Sequence, residues 1–321
     1  MLRAATAGLL AALPCVLLGP ARAESEARAG AVVVRWDDDS GDAGRWVATR
    51  WEGLLAEARR RLGVDPDLSG AEVFVVRGPE RLRAAARVGA PEWAGGVTVA
   101  GQRVVVRVDG AQGEIVRLLA TLRHEAVHLL WARHAGAAAR RLPLWFEEGL
   151  AEEIGGAPSV LAGARLDVAL GTGGLLEFET LERLWPTDAY AADLAYQQAR
   201  RWIGLLIARQ GWTVVPALLA RVRADAEGGT PTQVLDRALR TVTGHPLSDW
   251  HADWRLALEE RRDRWWLWFF VDLDGLVWTF IALVCAGSFF VLRRRRRRAI
   301  EALPDGALPE EGDLPPAPPQ V

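Results

Sequence analysis

The first third of the chain contains short, valine-rich apolar runs bounded by glycine or charged residues, which predict β-strands. Four runs have this character: residues 31–36, 71–78, 95–101 and 102–110. Between the first two, residues 44–64 show helical apolar spacing, and Gly63 predicts the end of that helix. A second helix is predicted over residues 79–89, because its first residue is proline, which suits the first turn of a helix. Residues 24–112 are therefore predicted to form a small mixed β-sheet lobe with helices.

From about residue 113 the apolar positions recur every three or four residues, which predicts a series of helices. The first covers residues 114–136 and ends at Gly136. The later helices share this spacing and cover residues 142–156, 193–211, 213–229, 231–244 and 246–265. A sheet lobe followed by a helical lobe, residues 113–264, predicts an α+β fold.

The N-terminal 23 residues have the pattern of a secretory signal peptide. Arg3 provides the positive charge, a long apolar run follows, and the small residues Ala21–Ala23 suit a cleavage site. Pro14 precedes Cys15 where a lipidated cysteine requires a small residue, so we expect cleavage after Ala23 and no lipid anchor.

A second long apolar run, Gly275–Leu292, lies near the C-terminus and has 18 uncharged residues, close to the minimum length for a membrane-spanning helix. Tryptophan and phenylalanine just before it suit a membrane–water interface, and Arg293–Arg298 directly after it predicts a cytoplasmic side. The alternatives are a buried core helix and, for the arginines, a nucleic-acid patch. We expect an interfacial segment and one transmembrane helix over residues 265–292. The Arg run and a proline-rich, disordered tail follow over residues 293–321.

Charge and cysteine content narrow the class of protein. The 39 basic and 41 acidic residues are nearly balanced, which argues against a nucleic-acid binder. Cys15 lies in the predicted signal peptide and Cys285 in the predicted anchor, so the part between them has no disulfide or thiolate metal site. The predicted signal peptide and C-terminal anchor lead us to expect a single-pass protein of a bacterial cell membrane. Its large part would be extracytoplasmic and its C-terminus cytoplasmic.

Residues 122–134 (LRHEAVHLLWARH) hold three of the five histidines in the chain. His124 and His128 are four residues apart and share one face of a helix, so both rings can bind one metal ion. Glu125 completes the H-E-x-x-H pattern of two imidazole ligands and a carboxylate general base. An ordinary amphipathic helix with incidental histidines is the alternative. A catalytic zinc site needs one more protein ligand.

Two candidates compete for the third ligand. His134 has the spacing of the metzincin pattern, H-E-x-x-H-x-x-G-x-x-H. However, Trp131 replaces the glycine at which that helix turns, and the only methionine is Met1, so no Met-turn exists. This reading fails, and the second candidate is the acidic segment 142–153 (LPLWFEEGLAEE).

Together these motifs resemble the gluzincin zinc metallopeptidases, the group that includes thermolysin, and most closely their small bacterial peptidase-MA-like domains. The resemblance covers roughly residues 95–262. It implies a thermolysin-like fold, Glu148 as the third zinc ligand, and Glu152 as an acid that hydrogen-bonds a ligand histidine. Glu147 and Glu153 are expected to be solvated.

The resemblance also implies a tyrosine or histidine on a later helix that stabilises the oxyanion formed during peptide hydrolysis. Tyr196 is the candidate, although packing between the lobes explains it equally well, and Tyr190 is the weaker alternative. The strand at 102–110 is expected to be the edge strand that aligns the substrate. His245 and His251 are expected to be surface or core residues.

The predicted function is therefore a membrane-anchored, zinc-dependent peptidase that acts on a peptide or protein substrate. Zn2+ would be bound by His124, His128 and Glu148, and Glu125 would be the general base. The alternative is a catalytically silent zinc-binding or scaffold module of the cell envelope on the same fold. An intramembrane protease fits poorly, because the motif helix carries several arginines.

Overall fold

The structure, a computed structural model, describes residues 24–110, 114–156 and 160–301. The predicted signal peptide, residues 1–23, and the tail after residue 301 lie outside the described residues. The described part of the chain divides into two compact units, with the boundary between residues 258 and 259, and each is described by itself. The domain boundaries derived from the sequence remain predictions.

A five-stranded mixed sheet forms the N-terminal lobe of the first unit, with the strand order β1-β2-β3-β5-β4. Its strands are β1 (Glu24–Ala29), β2 (Val32–Asp37), β3 (Glu72–Arg77), β4 (Gly96–Val99) and β5 (Arg103–Val108). The three central strands are parallel, whereas β1 and β4 are antiparallel edge strands. The four predicted strands are confirmed. β1 was not predicted, because its sequence, ESEARA, is polar and carries no strand pattern.

The expectation that residues 102–110 form the edge strand is wrong. β5 lies between β3 and β4, and the edge strand on this side of the sheet is β4. The buried run Val104–Val106 explains the position of β5, because a strand covered on both faces is apolar at consecutive positions. The turn between the two strands passes through Ala100 and Gly101, which both have positive φ.

Helices cover both faces of this sheet. Helix α1 (Gly41–Leu62) and helix α3 (Glu114–Ala135) share the main core with the sheet, including Val34 and Val73. Helix α1 ends as predicted at Gly63, which has φ of 66° and donates its N–H to the Arg59 carbonyl. Helix α2 (Pro79–Ala86) packs in a separate, smaller cluster.

The helical lobe follows the predicted order, with one additional helix. It contains α4 (Leu144–Gly155), α5 (Val160–Thr172), α6 (Ala189–Gln210), α7 (Val214–Ala224), α8 (Pro231–Thr243) and the start of α9 (Leu247–Glu301). Helix α5 was not predicted. Large aromatic side chains fill the centre, where the Trp145 and Trp202 rings are 4.9 Å apart. The α+β class is confirmed.

Two glycines let helix α4 approach its neighbours closely. A Cβ on Gly149 would stand 2.7 Å from the carbonyl oxygen of Ala199 on α6. A Cβ on Gly155 would stand 2.4 Å from the backbone nitrogen of His124 on α3. Helix α4 is therefore held tightly against both helices, which places its acidic residues beside His124.

The second unit contains the remainder of α9, and its described apolar side chains are exposed. Within the described residues, no single helix is long and apolar enough to cross a membrane. Only the bent pair α6 and α7, at 102° to each other, meets the length and composition required. The predicted span Gly275–Leu292 lies within α9, but some of its side chains lie outside the described set. The transmembrane assignment stays a prediction.

The tight contact at Gly149 predicts a loss of stability on substitution. We expect Gly149→Ala to lower the free energy of unfolding by about 1–3 kcal/mol, because the added methyl overpacks the α4–α6 contact. Gly53→Ala in α1 is the matched control, since a Cβ there meets no described atom within 4 Å, and it should stabilise by about 0.5–1 kcal/mol. Denaturant unfolding measures both, and equal effects would contradict this account of the packing.

Candidate metal centre

Helix α3 presents His124 and His128 toward helix α4. The two residues are one helical turn apart, and their Nε2 atoms are 3.0 Å from each other. The opposite side of α3 is anchored in the core by fully buried residues, including Leu122 and Leu129. This packing fixes the rotation of the helix, so both rings point to one place.

Glu148 brings a carboxylate to the same place from helix α4. Its Oε2 atom lies 3.4 Å from the Nε2 atoms of both His124 and His128. Ligand atoms around a tetrahedral zinc ion, with bonds of about 2.0–2.1 Å, stand about 3.3 Å apart. The observed separations therefore match the edges of a tetrahedral site.

The surroundings of Glu148 also fit a cation. Its Oε2 atom is buried and accepts no hydrogen bond from any described residue. A buried carboxylate oxygen without a donor is unfavourable unless a cation or water satisfies it. The described residues His124, His128 and Glu148 thus form a group able to hold a metal ion.

Two further acids hold the outer nitrogens of the histidine rings. Glu152 Oε1 lies 3.1 Å from Nδ1 of His124, and Glu147 Oε1 lies 2.8 Å from Nδ1 of His128. When Nδ1–H donates to a carboxylate, the Nε2 lone pair is left for the metal. Both rings are thereby held in the tautomer that a metal site requires.

Glu152 lies where the resemblance implied, whereas the expectation for Glu147 is wrong. Glu147 is only 23% exposed and contacts His128 instead of solvent. The cause is the pairing of α3 and α4: the later histidine meets the earlier glutamate, and His124 meets the later one. Glu153 is not free either, because its Oε2 accepts from Nε of Arg200 at 3.3 Å.

The electrostatics of this group favour positive charge at its centre. Burial opposes ionisation of His124, but the neighbouring carboxylates of Glu148 and Glu152 raise its pKa to about 9. Burial also opposes a charge on His128, and its pKa is nevertheless raised well above the usual value by Glu148 and Glu147. Burial acts to raise the pKa of Glu148, but the two histidines hold it far below the usual range. Protons or a bound cation can supply the charge that these carboxylates stabilise.

Glu125 is turned toward the sheet. It follows His124 directly, so it lies about 100° further around the helix. The carboxylate is buried, and its Oε2 accepts a hydrogen bond of 2.7 Å from the Thr98 hydroxyl on β4. Burial raises the pKa of Glu125, although the charge of the nearby histidines opposes this. A carboxyl group with a raised pKa beside metal ligands is suited to proton transfer.

The group opens into a cavity of about 950 Å³ that lies between the sheet lobe and the helical lobe. Edge strand β4 forms one wall, together with the side of α3 that carries His124, Glu125 and His128. Trp93 and Trp185 line one end, where Nε1 of Trp93 donates to the Thr187 carbonyl at 2.9 Å. A large cleft with a few converging polar groups is the usual form of a small-molecule or peptide site.

The structure separates the two tyrosine candidates. Tyr196 lines the cavity, and its ring is edge-on to His124 with centroids 5.8 Å apart. Burial, together with the carboxylates of Glu148 and Glu152, raises its pKa well above the usual value, so its hydroxyl keeps its proton. Tyr190 is 51% exposed and lies under the Arg165 guanidinium.

The remaining histidines lie apart from this group. His134 is in the last turn of α3, and its backbone carbonyl accepts from Arg223. Burial and the charge of Arg223 lower the pKa of His134, which disfavours the protonated ring that would suit the helix dipole. His251 stacks on Phe178 with centroids 4.8 Å apart, and His245 is exposed, as expected for core and surface residues.

Sequence reasoning missed Thr98 and Trp185 as well as the role of Glu147. Thr98 stands two positions after Gly96, so the alternation of a strand puts both on one face, but only the sheet order shows that this face meets Glu125. Nothing in the sequence indicated that Trp185 lies beside Tyr196, where the two ring centroids are 4.8 Å apart.

Comparison with known families agrees with this geometry. The sequence model of the peptidase MA superfamily matches residues 55–260 of the chain. This match covers more than half of the chain and includes every residue of the metal group. No curated protein matches the chain.

The ligand set predicts which variants lose metal. We expect the purified protein to bind one zinc ion, Glu148→Ala to lose most of it, and His134→Ala to keep it, because His134 lies outside the group. Elemental analysis after dialysis measures the metal content. If His134→Ala emptied the site and Glu148→Ala did not, the ligand assignment would be wrong.

Substitution of Glu147 or Glu152 is expected to affect zinc affinity less than the loss of a metal ligand does. Glu147→Gln and Glu152→Gln should each weaken zinc affinity by about 10–100-fold, because the neutral amide holds the ring N–H less strongly. Glu153→Gln is the matched control on the same helix, since Glu153 pairs with Arg200 and touches neither ring. Competition with a chromogenic chelator measures the three affinities, and equal values for all three variants would exclude this role.

Proposed function

Because the chain belongs to the peptidase MA superfamily, we propose that it is a gluzincin-type zinc peptidase that cleaves peptide bonds with an activated water molecule. The observation that carries this proposal is the meeting of three metal-binding side chains with a buried glutamate at one cavity. His124, His128 and Glu148 would hold the zinc ion, and Glu125 lies beside them.

The chemistry divides between the metal and the chain. A bound zinc ion lowers the pKa of water and polarises a carbonyl group. Glu125 takes a proton from the attacking water and passes it to the leaving amine, and its raised pKa suits both steps. Glu147 and Glu152 keep the two rings oriented throughout.

Tyr196 is the proposed donor to the oxyanion. It is the tyrosine that lines the cavity, and its hydroxyl stays protonated because burial and three nearby carboxylates disfavour the phenolate. A fixed O–H donor of this kind stabilises the negative charge that forms on the carbonyl oxygen.

The sheet edge supplies a place for the substrate backbone. Among the described residues β4 pairs with β5 alone, and it lines the cavity, so an extended peptide can add to its other edge as a further strand. The role of substrate-aligning edge strand, which was expected of β5, is therefore assigned to β4.

We also propose an extracytoplasmic location with a single C-terminal anchor. The supporting features are the apolar run Gly275–Leu292, its exposed apolar side chains, and the basic run Arg293–Arg298 directly after it. The signal-like pattern of residues 1–23 supports the same topology.

The general base gives the direct test. Glu125→Gln should lower kcat/KM for a peptide substrate by about 10²–10⁴-fold with zinc content unchanged, because the amide cannot accept the proton of the water. Glu153→Gln serves as the control and should keep the wild-type rate. Wild-type activity in Glu125→Gln would refute the mechanism.

Assays with a broad peptide library distinguish the proposed peptidase activity from the alternative function. If the zinc-loaded wild-type protein cleaves no member of the library, the chain is a silent zinc-binding or scaffold module of the cell envelope. Cleavage that depends on Glu125 excludes that alternative.

A further inference from the structure

Strand β4 presents different side chains to its two faces. Val97 and Val99 pack on the small core around Leu82 and Val105. The alternate positions, Gly96 and Thr98, face helix α3 at Glu125, as the two-residue period of a strand requires. The edge strand of the cleft therefore touches the general base directly.

The Thr98 hydroxyl holds one oxygen of the Glu125 carboxylate. Thr98 Oγ1 lies 2.7 Å from Oε2, and 3.2 Å from the backbone carbonyl of the same residue. A hydroxyl has one proton, and the shorter contact to the charged group takes it. Among the described residues no donor other than Thr98 reaches this carboxylate, so Oε1 remains available.

Gly96 makes this close approach possible. A Cβ at position 96 would stand 2.9 Å from both Cγ and Oε1 of Glu125, and 2.7 Å from Cγ2 of Thr121. The carboxylate of Glu125 therefore lies in a slot whose floor is the backbone of Gly96 and whose side is Thr98. Because threonine is β-branched, its χ1 angle is restricted and the hydroxyl is fixed by the strand.

We propose that Thr98 is a positioning residue for the general base: its hydroxyl fixes Oε2 of Glu125 and so leaves Oε1 to take the proton of the attacking water. This inference rests on the proposed peptidase function. It also assigns β4 two roles, since the strand whose free edge would bind substrate also orients the base.

Removal of the hydroxyl tests this role. Thr98→Val keeps the shape of the side chain and suits a strand, and it should lower kcat about tenfold or more while KM and zinc content stay unchanged. Thr98→Ser restores the hydroxyl and should recover most of the loss. Thr49→Val on α1, where the exposed hydroxyl donates to the Trp46 carbonyl and accepts from Arg50, is the matched control and should have the wild-type kcat.

A double-mutant cycle shows whether Thr98 acts through Glu125. In the Glu125→Gln background, Thr98→Val should cause no further loss, because the group it positions no longer accepts a proton. If the two losses multiply instead, Thr98 acts independently of the base and the proposal is overturned.

Crystal structures of the zinc-loaded wild type and of the two Thr98 variants provide a result that does not depend on activity. The Glu125 carboxylate should turn away from its wild-type orientation in Thr98→Val and keep it in Thr98→Ser. If it turns but the wild-type protein cleaves no peptide, the positioning role stands and the proposed function fails. If it does not turn, the positioning role is wrong whatever the activity.

Discussion

The site depends on the contact between helices α3 and α4, where two imidazole rings meet three carboxylates. His124 is held by Glu152 on one side, His128 is held by Glu147 on the other, and Glu148 lies between their inner nitrogens. Burying this many ionisable groups is unfavourable unless their charges compensate. A cation at the centre provides that compensation, so the packing of the two helices and the affinity for metal are parts of one arrangement.

Helix α3 also carries the proposed general base. Its histidines face α4, while Glu125 faces the sheet and is held by Thr98 on β4. The metal ligands are therefore provided by the helical lobe, whereas a strand of the sheet lobe orients the general base. Because α3 is packed against both, a single helix sets the distance between the metal ligands and the base.

Local patterns were predictable from the sequence, and relations between distant elements were not. The placement of His124, Glu125 and His128 follows from helix periodicity alone, and the structure brings Glu148 to them from the segment that the family resemblance indicated. Glu147 was misjudged because its contact depends on how α4 lies against α3. The edge position of β4 was missed because strand order in a sheet is set by packing between segments far apart in sequence.

The most direct test of the central claim is the coordination of zinc in the wild-type protein, measured by X-ray absorption spectroscopy together with a crystal structure of the zinc-loaded form. The account predicts one zinc ion bound by Nε2 of His124, Nε2 of His128 and a carboxylate oxygen of Glu148, at distances of about 2.0–2.2 Å. A zinc ion bound elsewhere, or bound by His134 in place of Glu148, would contradict it.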